Sequence, residues 1–173
     1  MRRYGVRALA AGAALTGALL AVAGPAHAAT GVAVTGAGNT VLEITGSGVS
    51  DDITVSVAAN GWLHVSNAAD VVPAVAPCVA VNANEVECPP GAIARIRAAT
   101  GNGDDTFRNR TALPSRVDMD HGKDIFLGGP AADEVRGGDG NDDLRGQGGN
   151  NDAADGGPGF DLCHAETEVA CEA

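Results

Sequence analysis

Two hydrophobic rhythms divide this chain. Between residues 40 and 98, β-branched residues alternate with small or polar ones, as at Ile53, Val55 and Val57. A period of two places one face of an extended strand inward. The pattern predicts strands at 40–45, 52–57, 62–66, 79–81, 86–88 and 93–98. Asn60-Gly61 supplies a two-residue hairpin turn. Asn82-Ala83-Asn84 turns a second hairpin, with Cys78 and Cys88 near its open end. Pro73, Pro77, Pro89 and Pro90 argue against helix here, and no helical period of useful length occurs after residue 28. Beyond residue 100 the rhythm changes. Phe107, Phe126, Val135 and Leu144 each fall two positions after an aspartate, namely Asp105, Asp124, Asp133 and Asp142.

The unit behind this second rhythm is clearest in Gly137-Gly138-Asp139-Gly140-Asn141-Asp142-Asp143-Leu144-Arg145, which reads G-G-x-G-x-D-x-U-x with U apolar. Seven such rows start at Thr100, Asn109, Met119, Gly128, Gly137, Gly146 and Gly156. The rows at Asn109 and Gly146 are ten residues long and the others nine. A flexible Gly/Asp linker has no reason to hold that period. Glycine allows positive φ and a bare backbone whose carbonyls can face an ion. Aspartate supplies a hard anionic oxygen suited to Ca²⁺. Residues 46–53, with Gly46 and Asp51, read either as a degenerate further row or as an ordinary turn before a strand.

Residues 100–164 resemble the RTX, or haemolysin-type, calcium-binding repeats, and the whole chain resembles small secreted bacterial proteins built on them. The likeness is tight over the C-terminal half and loose over the N-terminal half. It implies an all-β chain: a right-handed parallel β-roll (a β-solenoid of nonapeptides) preceded by an irregular N-terminal β region. It also implies that two rows form one coil, and that Ca²⁺ sits between turns stacked two rows apart. On one side the motif aspartates are then Asp105, Asp124, Asp142 and Asp161, spaced 19, 18 and 19 residues. The other side has Pro114 or Ser115, then Asp133, then Asn151 or Asp152. The implied turn positions on the first side are Gly101, Gly103, Gly122, Gly137, Gly138, Asp139, Gly140, Asn141, Gly156, Gly157 and Gly159. Ala112 and Ala131 replace the corresponding glycine on the second side. The expectation is one nearly intact ion-binding ladder and one largely decayed, with Asp133 the remaining candidate ligand in the decayed one. Met119-Asp120 stands where the third row should have two glycines, and Asp120 offers an extra ligand. His121 and Lys123 read as solvent-facing spacers.

Composition sets the setting. Residues 1–28 read as a secretory signal peptide. Arg2, Arg3 and Arg7 precede an apolar run, and Ala26-His27-Ala28 is a cleavage site, placing the chain outside the cell with no membrane segment after cleavage. Losing those three arginines takes the formal net charge from −11 to −14. Such a surface argues against nucleic acid and anionic membranes as partners. The expected partner is calcium itself, and nothing in the sequence names a protein or cell-surface partner. Aromatics are only 3%, so a core this thin needs staples. Four cysteines in an exported chain suggest two disulfides. Three connectivities are open, and the local pairs Cys78–Cys88 and Cys163–Cys171 are favoured because each brackets a short loop. Zinc is disfavoured by the spacing. The organisation expected is 1–28 signal peptide, 29–99 N-terminal β region, 100–164 repeats and 165–173 a disulfide-clamped cap.

The leading function is non-enzymatic calcium binding; a calcium-dependent adhesion or interaction module is the alternative. H-E-x-x-H and G-x-S-x-G are both absent, which disfavours a hydrolase. Apposed carboxylates repel without a cation, and a glycine-rich chain loses much entropy on ordering. The repeat half is therefore expected to be loose without Ca²⁺ and ordered with it. Circular dichroism with and without chelator checks this, and an unchanged β spectrum contradicts it.

Overall fold

A computed structural model describes residues 29–38 and 40–172. The signal-peptide expectation lies outside the described residues. Among those described there is no helix; the fold is all-β, with two open, mixed sheets and one two-residue strand pair.

The N-terminal part is built of hairpins. Strands β1 (Gly31–Thr35) and β2 (Val41–Thr45) pair antiparallel. So do β3 (Asp52–Val57) and β4 (Leu63–Asn67), whose turn places Gly61 at φ 82°. Strands β5 (Val79–Asn82) and β6 (Glu85–Cys88) form the second expected hairpin, and β6 also pairs with β4. The Cys78–Cys88 disulfide closes its open end. Strand β1 was not among the predicted strands. Only Val32 and Val34 alternate there, with alanine and glycine around them, so the local signal is short. The last predicted strand begins later than expected, as β7 (Arg95–Ala99), because Ile93 is tied into a turn by its N–H to the Pro90 carbonyl.

From β7 onward the chain alternates between the two sheets. Strands β8 (Thr106–Asn109), β11 (Ile125–Leu127), β14 (Asp143–Arg145) and β16 (Leu162–His164) extend parallel from β3. Strands β9 (Ser115–Asp118), β12 (Glu134–Arg136), β15 (Ala153–Asp155) and β17 (Thr167–Val169) extend parallel from β7, which itself pairs with β2. Partners in each sheet are therefore two rows apart in sequence. Both sheets run unbroken across residues 99 and 100, and the second continues into the 165–172 tail. The small pair β10 (His121–Gly122) and β13 (Asp139–Gly140) lies in the turns.

Strands β8, β11, β14 and β16 and strands β9, β12 and β15 each give the core an inward apolar side chain. Register stacks Ile53, Phe107, Phe126, Leu144 and Cys163 in one sheet, and Ile44, Ala98, Val117, Val135 and Ala154 in the other. All ten belong to a single buried cluster. Phe107 and Phe126 stack with ring centroids 6.2 Å apart. The register also settles the ten-residue rows, because Arg116 and Ala153 both align with Glu134. Ser115 and Asp152, not Pro114 and Asn151, thus take the motif position.

With a core only one side chain deep per strand, neighbours have little freedom to close a void. Phe126→Ala is expected to cost about 3–5 kcal/mol. Phe160→Ala, at a side chain 66% exposed, should stay within about 0.5 kcal/mol. Denaturant unfolding of the two variants in one buffer measures both.

Candidate metal centre

The motif aspartates fall where a strand begins, so their side chains turn inward with the first core residue. Each carboxylate then reaches back to the preceding member of its column. Asp105 Oδ1 accepts the Asp51 N–H at 2.7 Å, and Asp124 Oδ1 accepts that of Asp105 at 2.8 Å. Asp142 Oδ1 accepts the Asp124 N–H, and Asp161 Oδ1 the Asp142 N–H, both at 2.9 Å. The structure thus brings Asp105, Asp124, Asp142 and Asp161 into one continuous ladder. Asp133 lies in a second one, where its Oδ1 accepts the Ser115 N–H at 2.8 Å and Asp152 Oδ1 accepts the Asp133 N–H at 2.9 Å.

The second oxygens separate the two ladders. Oδ2 of Asp105, Asp124, Asp142 and Asp161 is buried and finds no hydrogen-bond donor among the described residues. Among the described residues Asp70 carries the only other such atom, in the loop after β4. Asp133 is satisfied throughout. Its Oδ2 accepts the Gly129 N–H at 2.7 Å, and its Oδ1 also takes the Ser115 hydroxyl at 2.6 Å and Asn109 Nδ2 at 3.3 Å. An unpaired buried carboxylate oxygen is costly. Four in a column require compensation by a proton or a cation. Burial pushes the Asp124 carboxyl up to about 7 and that of Asp142 to about 6, with neighbouring carboxylates adding to the rise. Asp105 is raised too, again chiefly by burial.

The turn glycines shape the space around these oxygens. Gly138 has φ 107°, as Gly101 and Gly157 have 94°. Asp120 holds the same position in its row at φ 73°, a conformation that costs a non-glycine residue about 1 kcal/mol. Its side chain is exposed, 3.7 Å from His121 Nε2, and so turns away from the ladder. At Gly140 a Cβ would overlap the Gly122 carbonyl oxygen, and the same holds for Gly159 over Gly140 and Gly122 over Gly103. A Cβ at Gly137 would meet Asp142 Oδ2, and one at Gly156 would meet Asp161 Oδ2. Bare backbone therefore runs directly past the orphaned oxygens of Asp142 and Asp161.

Other predicted positions lie on the rim. Asp139 is exposed, with Oδ2 3.2 Å from His121 Nδ1. Asn141 Oδ1 accepts the Phe160 N–H at 2.9 Å. Neither side chain joins the ladder. No three carboxylate, imidazole or thiolate groups converge on one point among the described residues. An ion here would therefore draw much of its shell from carbonyls.

Three residues of the ladders were not among the sequence-predicted sites. Asp51 heads the first, and its carboxylate is fully engaged by the Ser47 N–H at 2.7 Å and Asn67 Nδ2 at 2.6 Å. The signal for it was the Gly46-to-Asp51 spacing, which was open to two readings. Glu172 Oε2 accepts the Asp161 N–H at 2.6 Å, and Glu166 Oε2 accepts that of Asp152 at 2.8 Å. Both close a ladder where the nonapeptide pattern has ended. The second predicted disulfide, Cys163–Cys171, is formed beside them.

Comparison with protein families, with curated proteins and with solved structures finds no match to this chain.

The raised carboxyls fix the sign of a pH effect in chelator. A folded-state value above the unfolded 3.8 means that the folded chain holds protons the unfolded chain has released. That stability is fully present below 3.8 and lost as pH rises through about 6 and about 7. The melting temperature in EDTA should be higher at pH 5 than at pH 8. Asp124→Asn keeps the acceptor without the charge, so it should shrink the difference; an undiminished difference contradicts the assignment.

Proposed function

We propose that this chain is a secreted, non-enzymatic calcium-binding protein, and that its two parallel ladders are the sheets of an RTX-type right-handed β-roll. The observation that carries the reading is the column of four buried, donorless Oδ2 atoms at Asp105, Asp124, Asp142 and Asp161. Hard anionic oxygens among carbonyls suit Ca²⁺ rather than a transition metal. These four aspartates would hold the ions, with turn carbonyls of rows such as Gly101–Gly103 and Gly137–Gly140 around them. A bound cation supplies the positive charge that protein donors do not. The aspartates fix row spacing through Oδ1 and keep Oδ2 free, and Gly137 and Gly156 leave bare backbone beside Asp142 and Asp161.

The second ladder supports an asymmetric protein. Asn109 Oδ1 accepts the Thr111 N–H and hydroxyl, and Gly129 and Ser115 saturate Asp133. Hydrogen-bond donors do there what a cation would do in the first ladder. The two disulfides accord with an oxidising extracellular setting. A second reading, an interaction module, is favoured by β5, a sheet edge whose four residues are all exposed, Val79 and Val81 among them. Calcium-dependent capture on a cell surface would favour that reading.

Calorimetry with Ca²⁺ tests the main one. Losing an outer-shell partner alone costs about 10–100-fold in metal affinity. Asp142→Ala should weaken binding by at least that much, whereas Asp133→Ala should leave calcium affinity nearly unchanged. Equal effects would contradict the asymmetry, and no heat from the parent protein would contradict calcium binding altogether.

A further inference from the structure

We propose that Glu172, which lies outside the repeats, supplies the terminal carboxylate of the calcium ladder and creates one more ion site, against the turn of the last row at residues 156–161. This inference rests on the calcium reading above. Its ground is that the tail repeats the bonding of a complete row. In every earlier step of the ladder, the first turn residue donates its N–H to the end of a strand in the other sheet: Thr100 to Asp118, Met119 to Arg136, Gly137 to Asp155. Gly156 donates in the same way to Val169. The residue after each motif aspartate donates to the aspartate carbonyl before it in the column: Ile125 to Asp105, Asp143 to Asp124, Leu162 to Asp142. Glu172 donates to Asp161 at 2.7 Å.

The tail therefore reaches with three residues, from Val169 to Glu172, what a full row reaches with more. The missing backbone is made up by the longer glutamate side chain. From the position after the motif aspartate it folds back and takes the Asp161 N–H at 2.6 Å, the bond that an aspartate makes at every earlier step of this ladder. Ala170 adopts φ 48°, and its carbonyl lies where a Cβ on Gly156 would clash. Bare backbone thus meets a carbonyl here as at the internal turns. The independent observation is Asp161 itself, fully buried at 0% exposed, with an Oδ2 that finds no donor among the described residues. The Cys163–Cys171 bond holds the glutamate's neighbour against β16. Glu166 takes the matching N–H, that of Asp152, in the second ladder; Asp152 Oδ2 is not among the buried oxygens left without a donor in the described residues, and so Glu166 is assigned no ion.

Equilibrium dialysis with ⁴⁵Ca²⁺ on the whole chain tests this. Glu172→Gln keeps an acceptor for the Asp161 N–H and removes the charge. It should bind one ion fewer than the parent, while Glu166→Gln should bind the parent number. A local readout guards against a folding defect. Ca²⁺ should slow reduction of Cys163–Cys171 relative to Cys78–Cys88 in the parent, and Glu172→Gln should lose that protection. A parent that binds calcium, with an unchanged count and protection in Glu172→Gln, overturns the assignment of Glu172 alone. A parent that binds none overturns the calcium reading and this site with it.

Discussion

A carboxylate oxygen bonded to the backbone amide of the aspartate before it in the column is the contact on which the other features depend. Aspartate is short, so this bond fixes how far one strand start can lie from the next. It sets the same inter-strand spacing that the parallel ladders need, about 4.8 Å. It also fixes register, since a slip of one residue would send Phe107, Phe126 and Leu144 outward. One interaction thus aligns the turns, the strands and the core column together. Its cost is that a charged group is carried inside, with only one of its two oxygens satisfied by the alignment itself.

The two ladders resolve that cost in different ways. At Asp133 in the second ladder the free oxygen meets amide and hydroxyl donors, as it does at Asp51, the one satisfied member at the head of the first. Those positions are complete as they stand. At Asp105, Asp124, Asp142 and Asp161 no donor among the described residues meets the second oxygen, and beside Asp142 and Asp161 a glycine leaves bare backbone. The same residue type in the same local geometry is therefore self-sufficient on one side and incomplete on the other. What decides is the neighbouring turn. Asn109 and Thr111 hold the second row's turn closed, and Gly129 points its amide at Asp133.

Much of this was legible in the residues. The two-residue alternation marked five hairpin strands and their turns, because a half-buried strand needs one apolar face. The nine-residue period marked the parallel ladders, because each row has one core residue to bury. The local pairing of cysteines followed from short loops. What the pattern could not convey was reach. Glu166 and Glu172 fill places that the repeat gives to aspartate, and Glu172 does so from a different backbone position. One methylene more makes that possible, and no spacing rule records it. The ten-residue rows were ambiguous for a related reason: an extra residue in a turn leaves no hydrophobic trace, so only strand register placed Ser115 and Asp152. Strand β1 was missed because two valines among alanine and glycine are too brief a pattern.

Those ten-residue rows have a practical reading. Both extra residues fall on the face of Asp133, whose carboxylate is already satisfied, in the turns leading to Ser115 and Asp152, while every row on the other face keeps nine residues. In the second of these turns Gly148 is exposed and a side chain there would meet nothing nearby, and Gln147 and Asn151 already accept positive φ. Loop length is thermodynamically cheap where no ladder passes through it. The molecule therefore has one side fixed in length and one open to insertion, and the turn at Gly148 is where a foreign peptide could be displayed without disturbing the stacking beneath it.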